Sequence, residues 1–311
     1  MSPARPVEGG EPGDRGGPVE GGGPGGDGIP DGPARTGLES VRATITEPHP
    51  SPAVHTFDIR TVTADPGHCR TTMACDPAFT DAAGMMPMGA VAMLADTGLT
   101  RTVLSWMPAG RVVLTSRVQV SMVGAVPAGT PLLAAGRSVT WNLDGGFSVG
   151  AISAPDGAPV AQVSARCVAV PGRWGVPFIT PGEEAAAPRT GPDPDGGFLG
   201  LRWDSDPGPG ADVEARLTDI DRLSNMYGAL HGGCGAAVLE SVLARAAGHR
   251  GVRPQDLEVH YLRPAPASGV SLSCRGRVLD STRRYTLCAG ELVDDTGRVF
   301  TRATARYGEP G

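Results

Sequence analysis

Two short segments of the chain combine glycines with a carboxylate at the same spacing. In the second half of the chain, NMYGALHGG (225–233) precedes Glu240, and in the first half DAAGMMPMG (81–89) precedes Asp96, with matching positions 144 residues apart. Glycines just before an apolar helix leave backbone N–H groups accessible, and the first N–H groups of a helix lack a partner within it and carry partial positive charge. Such a turn can polarise a carbonyl group, which a nearby carboxylate can attack directly or through an activated water.

His231 and Glu240 are too far apart to serve one site within a single half. Nine residues separate them, which is about 13 Å along a helix at about 1.5 Å per residue. Each therefore needs partners from another part of the molecule.

The repeat extends to the elements around these segments. Apolar residues at helical spacing predict helices over 89–106 and 233–248. Each is preceded by one strand-like segment and followed by a run of strands with short turns, which is typical of antiparallel neighbours. The predicted strands are 55–63, 111–122, 131–141, 146–153 and 159–170 in the first half, and 211–217, 257–263, 270–278, 284–292 and 299–307 in the second. We interpret the chain as a duplicated unit.

Glycine and proline mark the boundaries of the two units. The chain has 311 residues with 46 Gly and 30 Pro, and these are dense near its beginning and again near its middle. Segments of this kind bury too little apolar surface to offset their ordering entropy. We therefore predict a disordered tail over 1–44 and a linker over 173–196, which leaves units at 45–172 and 197–311.

Composition excludes several classes of protein. A formal net charge of −6 with scattered arginines argues against nucleic acid as a partner. The chain has no lysine, so neither a Walker lysine nor a Schiff-base lysine can exist in it. No leader and no apolar run of about 18 residues is recognised, so we expect neither secretion nor a membrane span. Six cysteines without CxxC spacing favour a reduced, cytoplasmic protein.

The second segment, together with VHYLRPAPASG (259–269) and STRRYTLCAGELVDDTGRVFTRATA (281–305), resembles the hotdog-fold acyl-CoA thioesterases of the PaaI type. The resemblance implies an α+β tandem hotdog, in which each half is an antiparallel sheet of five or six strands around a central helix and the halves form an intramolecular pseudo-dimer. It implies hydrolysis of an acyl-CoA, or of an acyl-carrier-protein thioester, to a free acid and a thiol. No metal or redox cofactor is needed, coenzyme A is part of the substrate, and a homo-oligomer of pseudo-dimers is compatible with the resemblance.

In this family the Asn and His-Gly turn of one subunit faces the acid of the other. Applied to a fused pair, the resemblance implies a composite site in which Asp96 activates water or attacks the carbonyl carbon. The roles implied for the other residues are thioester positioning by Asn225 and His231, oxyanion binding by the N–H groups of Gly232 and Gly233, and holding of the water by the Thr115 hydroxyl.

The reciprocal site is chemically different. It joins Glu240 to Asp81, Pro87 and Met88, so it lacks an imidazole and places two carboxylates near each other, which raises the pKa of one of them. Glu240 is a candidate catalytic acid there, although we predict that only the first site is active. The arginines predicted to meet the phosphates of coenzyme A are Arg263, Arg283 and Arg284.

Other interpretations stay open at this stage. A hotdog hydratase, dehydratase or cyclase-like enzyme would need a histidine and an acid at the acyl β-carbon, and a non-catalytic acyl-thioester binding protein fits the altered first segment. Ser148 in GFSVG (146–150) matches the G-x-S-x-G nucleophile elbow, yet an elbow requires a following helix and the sequence predicts strands there. His231 could also be a helix cap, and Asp96 and Glu240 could be exposed acids.

Overall fold

The structure, a computed structural model, describes residues 35–74, 76–81, 83–177, 197–203, 212–248 and 253–308. In the first half two short helices precede the sheet, and one long helix follows its second strand. The elements are α1 (Gly37–Thr46), α2 (Pro52–Thr56), β1 (Ile59–Asp65), β2 (His68–Met73), α3 (Met88–Leu104), β3 (Arg111–Met122), β4 (Leu132–Asn142), β5 (Gly145–Ser153) and β6 (Pro159–Pro171).

The second half repeats the arrangement of strands around a long helix. Its elements are β7 (Leu201–Trp203), β8 (Val213–Leu217), a 3₁₀ turn (Asp221–Leu223), α4 (Gly232–Ala246), β9 (Arg253–Tyr261), β10 (Leu272–Ser281), β11 (Tyr285–Asp294) and β12 (Val299–Gly308).

The described strands form one antiparallel sheet with approximate two-fold symmetry. Its order is β1-β2-β4-β5-β6-β3-β9-β12-β11-β10-β8-β7. Counted outward from the central pair β3 and β9, each strand of the first half has the same position in the sheet as its counterpart in the second half. Each half is therefore a six-stranded sheet around one long helix, and the predicted edge-to-edge tandem architecture is confirmed.

Strands β3 and β9 join the two halves. Val118 pairs with Val259 and Gln119 with Glu258, and both valines are fully buried. Beside them the Arg117 guanidinium lies 3.2 Å from the Glu258 carboxylate. The joint therefore has both a backbone ladder and a packed interior, so the halves share one core.

Helices α3 and α4 cross at two glycines that the repeat relates. A Cβ atom on Gly233 would lie 2.7 Å from the Cα of Met93, and one on Gly89 would lie 2.7 Å from the Cα of Ala237. Real Cβ atoms do not approach so closely, so only glycine permits this helix packing. The two contacts are 144 residues apart, so the sequence repeat is also a symmetry of the structure.

Helix α3 is enclosed on nearly every side. Of its 17 residues, 16 are buried, which is the expected fate of a helix that is apolar all round. The charged residues among them are Asp96 and Arg101. Burying a charge without a partner is unfavourable. The groups that contact Asp96 and Arg101 therefore indicate the function of this helix.

Four local predictions need correction or fall outside the described residues. Each long helix is preceded by two strands and not by the one predicted, because β2 and β7 were missed. The predicted tail over 1–44 overlaps α1, which a capping box between Thr36 and Glu39 initiates; residues 1–34 are not described. The strand predicted over 55–63 begins at Ile59, because the preceding residues form α2. The predicted linker over 173–196 is described only as far as residue 177. Among the described helices, none is both long and apolar enough to cross a bilayer.

Candidate active site

The N-terminus of α4 forms one wall of the candidate site. His231 is the N-cap residue, and its Nδ1 accepts a hydrogen bond of 3.1 Å from the Gly233 N–H. The His231 N–H donates to the Leu223 carbonyl, and the Tyr261 hydroxyl donates to the Gly232 carbonyl at 2.8 Å. These bonds hold the turn rigidly where the helix presents its first N–H groups.

Asp96 of α3 faces this turn from the other half of the molecule. Its side chain is only 3% exposed. One carboxylate oxygen accepts a hydrogen bond of 2.5 Å from the Thr115 hydroxyl, and the other accepts one of 2.7 Å from the Gly233 N–H. The resemblance placed these residues together, and the structure does the same. The positive end of the α4 dipole stabilises the carboxylate.

The two glycine N–H groups have different roles in the structure. We predicted that both bind an oxyanion, but the Gly233 N–H donates to Asp96 and to His231. No described residue accepts a hydrogen bond from the Gly232 N–H. A Cβ atom on Gly232 would lie 2.9 Å from a carboxylate oxygen of Asp96. Gly232 therefore supplies the free donor beside the acid.

Asn225 has a structural role that the sequence did not reveal. Its side-chain oxygen accepts hydrogen bonds from the N–H groups of Tyr227 and Ala229. Asp81, its counterpart in the first half, accepts from Ala83 and Met85 in the same way. The shared feature is a turn held by a side-chain oxygen. Only the amide nitrogen of Asn225 remains available to orient a ligand.

His231 is a helix cap and a member of the site at once. Burial lowers its pKa and so does the charge of Arg101, although the carboxylate of Asp96 raises it. The imidazole is therefore neutral near pH 7. Since Nδ1 accepts from the Gly233 N–H, the proton lies on Nε2. His231 Nδ1 lies 3.3 Å from the Asp96 carboxylate because both atoms accept a hydrogen bond from the Gly233 N–H.

These groups line a cavity of about 220 Å³ between the halves. The second half contributes the turn that carries Asn225 and His231, and the first half contributes Asp96, Thr115 and one face of α3. A single water needs about 10–15 Å³, so the space accommodates part of an organic ligand.

The reciprocal site around Glu240 differs in its chemistry. Glu240 is 4% exposed and accepts long hydrogen bonds from the Gly89 N–H at 3.4 Å and the Tyr307 hydroxyl at 3.3 Å. Burial raises its pKa to about 7, and repulsion from Asp81 is a smaller cause in the same direction. The N-cap of α3 is Pro87, which makes no side-chain cap. The predicted repulsion between Asp81 and Glu240 is present, but burial raises the pKa of Glu240 more than this repulsion does.

The structure separates the three predicted phosphate-binding arginines. Arg263 lines the first cavity. Arg283 and Arg284 are exposed in the hairpin between β10 and β11, next to the end of the sheet where Gly308 pairs with Arg253. Strand β9 runs from that end of the sheet to the end near Arg263, a length of about 25 Å at about 3.3 Å per residue. Arg283 and Arg284 therefore do not reach this cavity.

The surroundings of Ser148, and of the nucleophilic side chain of Cys234, exclude both as the nucleophile. Ser148 is fully buried within β5, which a second strand follows, and its hydroxyl donates to the Leu99 carbonyl. The nucleophile elbow is therefore absent at this serine. Burial raises the pKa of the Cys234 thiol well above its usual range, so it is not a thiolate. The alternative that Asp96 and Glu240 are exposed acids is wrong, since both are buried.

Sequence reasoning missed Arg101, which also lines the cavity. Its side chain is 3% exposed, and none of its three side-chain nitrogens has a hydrogen-bond partner among the described residues. One signal could have found it: Arg245 lies 144 residues later, at the matching position of α4. Each long helix thus carries an acid followed five residues later by an arginine.

The fold and the C-terminal half can be compared with known proteins. Residues 221–308 match the family model of the acyl-CoA thioesterase N-terminal domain. The matched residues include the segments that carried the resemblance, so the resemblance of this part of the chain to an acyl-CoA thioesterase domain is confirmed. The assignment to the PaaI type stays a prediction. No curated protein matches the chain.

Solved structures show the same fold across most of the chain. The tesB protein of Mycobacterium avium subspecies paratuberculosis is 16% identical with a TM-score of 0.52, covering 88% of this chain and 100% of its own. The 12:0-ACP thioesterase of Umbellularia californica is 10% identical with a TM-score of 0.50, covering 77% and 93%. A hotdog protein of unknown function from Alicyclobacillus acidocaldarius is 12% identical with a TM-score of 0.51, covering 78% and 93%. At these identities the likeness establishes the tandem hotdog fold.

Proposed function

We propose that the protein hydrolyses an acyl thioester of coenzyme A, or of an acyl carrier protein, to a free acid and a thiol. One observation carries the proposal: a buried carboxylate from one half, Asp96, lies beside an unused helix N–H from the other half, at Gly232, in a shared cavity. The family match of the C-terminal half and the thioesterases among the structural neighbours support the same reaction.

The Gly232 N–H is the donor for the thioester oxygen. As attack proceeds, negative charge grows on that oxygen, and a preorganised donor of this kind is worth about 3 to 4 kcal/mol in the transition state. The dipole of α4 adds to the stabilisation. The amide nitrogen of Asn225 and the Nε2–H of His231 orient the thioester beside this donor.

Asp96 supplies the attacking oxygen. It either takes a proton from water that adds to the carbonyl carbon, or adds to that carbon itself to form an anhydride that water then cleaves. In both routes the C–S bond breaks as the tetrahedral intermediate collapses, and the thiolate leaves and takes up a proton. Thr115 holds the carboxylate in place through its 2.5 Å hydrogen bond.

A thiol-release assay tests this function. Wild-type protein is mixed with acyl-CoA and acyl-carrier-protein thioesters of graded chain length, and the free thiol and acid are quantified. We expect stoichiometric acid and thiol from at least one carrier, and a large loss of rate in His231→Ala. Release of neither product from any member of the panel would contradict the proposal. Addition of water to an enoyl thioester with the C–S bond intact would favour a hydratase instead.

A further inference from the structure

Arg101 is a buried charge that no described protein group neutralises. The nearest carboxylate along the helix, Asp96, has both oxygens occupied by Thr115 and Gly233. Five residues of helix also place the two side chains about 140° apart around the axis and about 7.5 Å apart along it. Burial lowers the pKa of Arg101 to about 10, so the guanidinium is still charged near pH 7. The protein therefore maintains a buried cation at an energetic cost.

Arg101 is one of the residues that line the active-site cavity. His49, Leu104 and Trp174 line it as well. His49 is mostly buried and packs edge-on against Trp174 with ring centroids 5.2 Å apart. Burial and the charge of Arg101 lower the pKa of His49 to about 2, so this imidazole is neutral. Among the described residues that line the cavity, Asp96 is the one acidic side chain, so the wall offers Arg101 no other carboxylate.

The counterpart in the second half is arranged differently. The guanidinium of Arg245 lies 4.3 Å from the ring centroid of Trp203, which stabilises its charge. Arg101 has no aromatic ring in that position among the described residues. Arg101 and Arg245 therefore occupy matching helix positions in different environments. Arg101, whose guanidinium has no hydrogen-bond partner among the described residues, belongs to the site that carries the catalytic groups.

We propose that Arg101 binds a carboxylate at the far end of the acyl group, so that the preferred substrates are thioesters of short dicarboxylic acids. A planar guanidinium pairs with a planar carboxylate through two parallel hydrogen bonds. Asp96 and Arg101 line the same cavity of about 220 Å³, which suits an acyl group of a few carbon atoms. The phosphates of coenzyme A are separated from the sulfur by the long pantetheine arm, so they cannot lie this close to the reacting carbon. The inference rests on the proposed thioesterase function.

Matched substrates test the inference. Glutaryl-CoA and adipyl-CoA are compared with valeryl-CoA and hexanoyl-CoA, which have the same chain lengths without the distal carboxylate. Since a hydrogen bond to a charged group changes affinity by about 10- to 100-fold, wild-type kcat/KM should favour the acidic member of each pair by at least that factor. In Arg101→Met the preference should disappear while hydrolysis of valeryl-CoA persists. The matched variant Arg245→Met should keep the preference.

Several results would overturn this inference while leaving the thioesterase function intact. They are equal rates of wild type on both members of each pair, a preference that survives in Arg101→Met, and an equal loss of rate on all substrates in that variant. Absence of hydrolysis on every thioester would instead reject the proposed function.

A binding measurement separates the carboxylate site from catalysis. Free glutarate should raise the thermal unfolding midpoint of wild type and leave that of Arg101→Met unchanged. Because the variant removes an uncompensated buried charge, its own midpoint should be higher than that of wild type. Arg101→Gln, which also removes the charge, provides the same comparison with a polar side chain. A midpoint lower than that of wild type in both variants would assign Arg101 a structural role and overturn the proposal.

Discussion

The two oxygens of Asp96 are held by opposite halves of the molecule. Thr115 binds one from its own half, and the Gly233 N–H binds the other from the partner half. A side chain restrained in this way keeps one orientation while the chemistry proceeds. Single-residue changes near Asp96 should therefore alter rate more than substrate affinity.

Thr115→Val tests the first of these bonds. The variant removes a hydroxyl donor to a charged group without changing the size of the side chain greatly. We expect kcat to fall about 10- to 100-fold with little change in KM, measured by steady-state thiol release. Thr115→Ser keeps the hydroxyl and should retain most of the rate. Equal rates in the valine and serine variants would show that the hydroxyl has no part in catalysis.

The raised pKa of Glu240 predicts that the stability of the protein depends on pH. Its pKa is raised from an ordinary 4.5 to about 7, mainly by burial. Between these values the folded state binds more protons than the unfolded state, so the free energy of unfolding falls as pH rises. The total loss is about 3 kcal/mol by pH 8. Urea unfolding at pH 5 and pH 8 should show this loss in wild type and not in Glu240→Gln; the same loss in both would contradict the assignment.

Helix packing sets the geometry at the scale of the elements. The contact between Gly233 and Met93 brings the N-terminus of α4 onto α3, which places Asp96 beside the first turn of α4. Gly233→Ala would insert a Cβ 2.7 Å from a backbone atom. Because helix backbones cannot yield easily, we expect destabilisation of about 1–3 kcal/mol in chemical denaturation.

Gly235→Ala is the matched control for this substitution. It lies two residues later in the same helix, where a new Cβ would have its nearest neighbour at an ordinary 3.7 Å. Alanine in a helix is favoured over glycine by about 0.5–1 kcal/mol, so this variant should be neutral or more stable. Equal destabilisation by both substitutions would contradict the assignment of the effect to the helix crossing at Gly233.

Most elements could be predicted from the sequence because their patterns are local. β3 runs over the predicted 111–122, and the two long helices begin within a residue of their predicted starts. α1 was missed because the glycine-rich composition around it obscured its capping box. α2 was missed because its support is tertiary: the Ser51 hydroxyl and the Ala53 N–H both donate to the Ser224 carbonyl of the other half.

The candidate site was predictable in part. Asp96 and His231 could be paired only through the resemblance, since nothing local in the sequence brings residues 135 positions apart together. The N–H groups of Gly232 and Gly233 have different hydrogen-bonding roles because of the way α3 packs against α4. A sequence motif does not specify this packing. Arg101 was overlooked because a single arginine in a helix is ordinarily a solvated side chain, and only its burial distinguishes it.

At the scale of the whole molecule, the site exists only while the halves remain joined. They share the β3–β9 ladder, the crossing of α3 and α4, and the contacts of α2 with the other half. A continuous core of this kind favours a single cooperative transition. Calorimetry should therefore give equal calorimetric and van't Hoff enthalpies, and Val118→Asp at the joint should lower one common midpoint. Two separate transitions would mean that the halves are independent domains.

The duplication has left one molecule with two unlike sites. The first keeps an acid beside a free helix N–H and a neutral histidine, whereas the second pairs a carboxyl of raised pKa with a proline cap. A carboxyl that is partly protonated near pH 7 is a weaker nucleophile and a weaker base for this reaction. We therefore assign catalysis to the Asp96 site.

The assignment of catalysis to Asp96 is tested by comparing Asp96→Asn with Glu240→Gln on the same thioester, in the same thiol-release assay. Both substitutions replace a buried carboxylate with an amide of the same shape at matching positions of the repeat. We expect Asp96→Asn to lose at least about 100-fold in kcat, while Glu240→Gln keeps the wild-type rate. Equal losses in the two variants, or a loss confined to Glu240→Gln, would contradict this assignment.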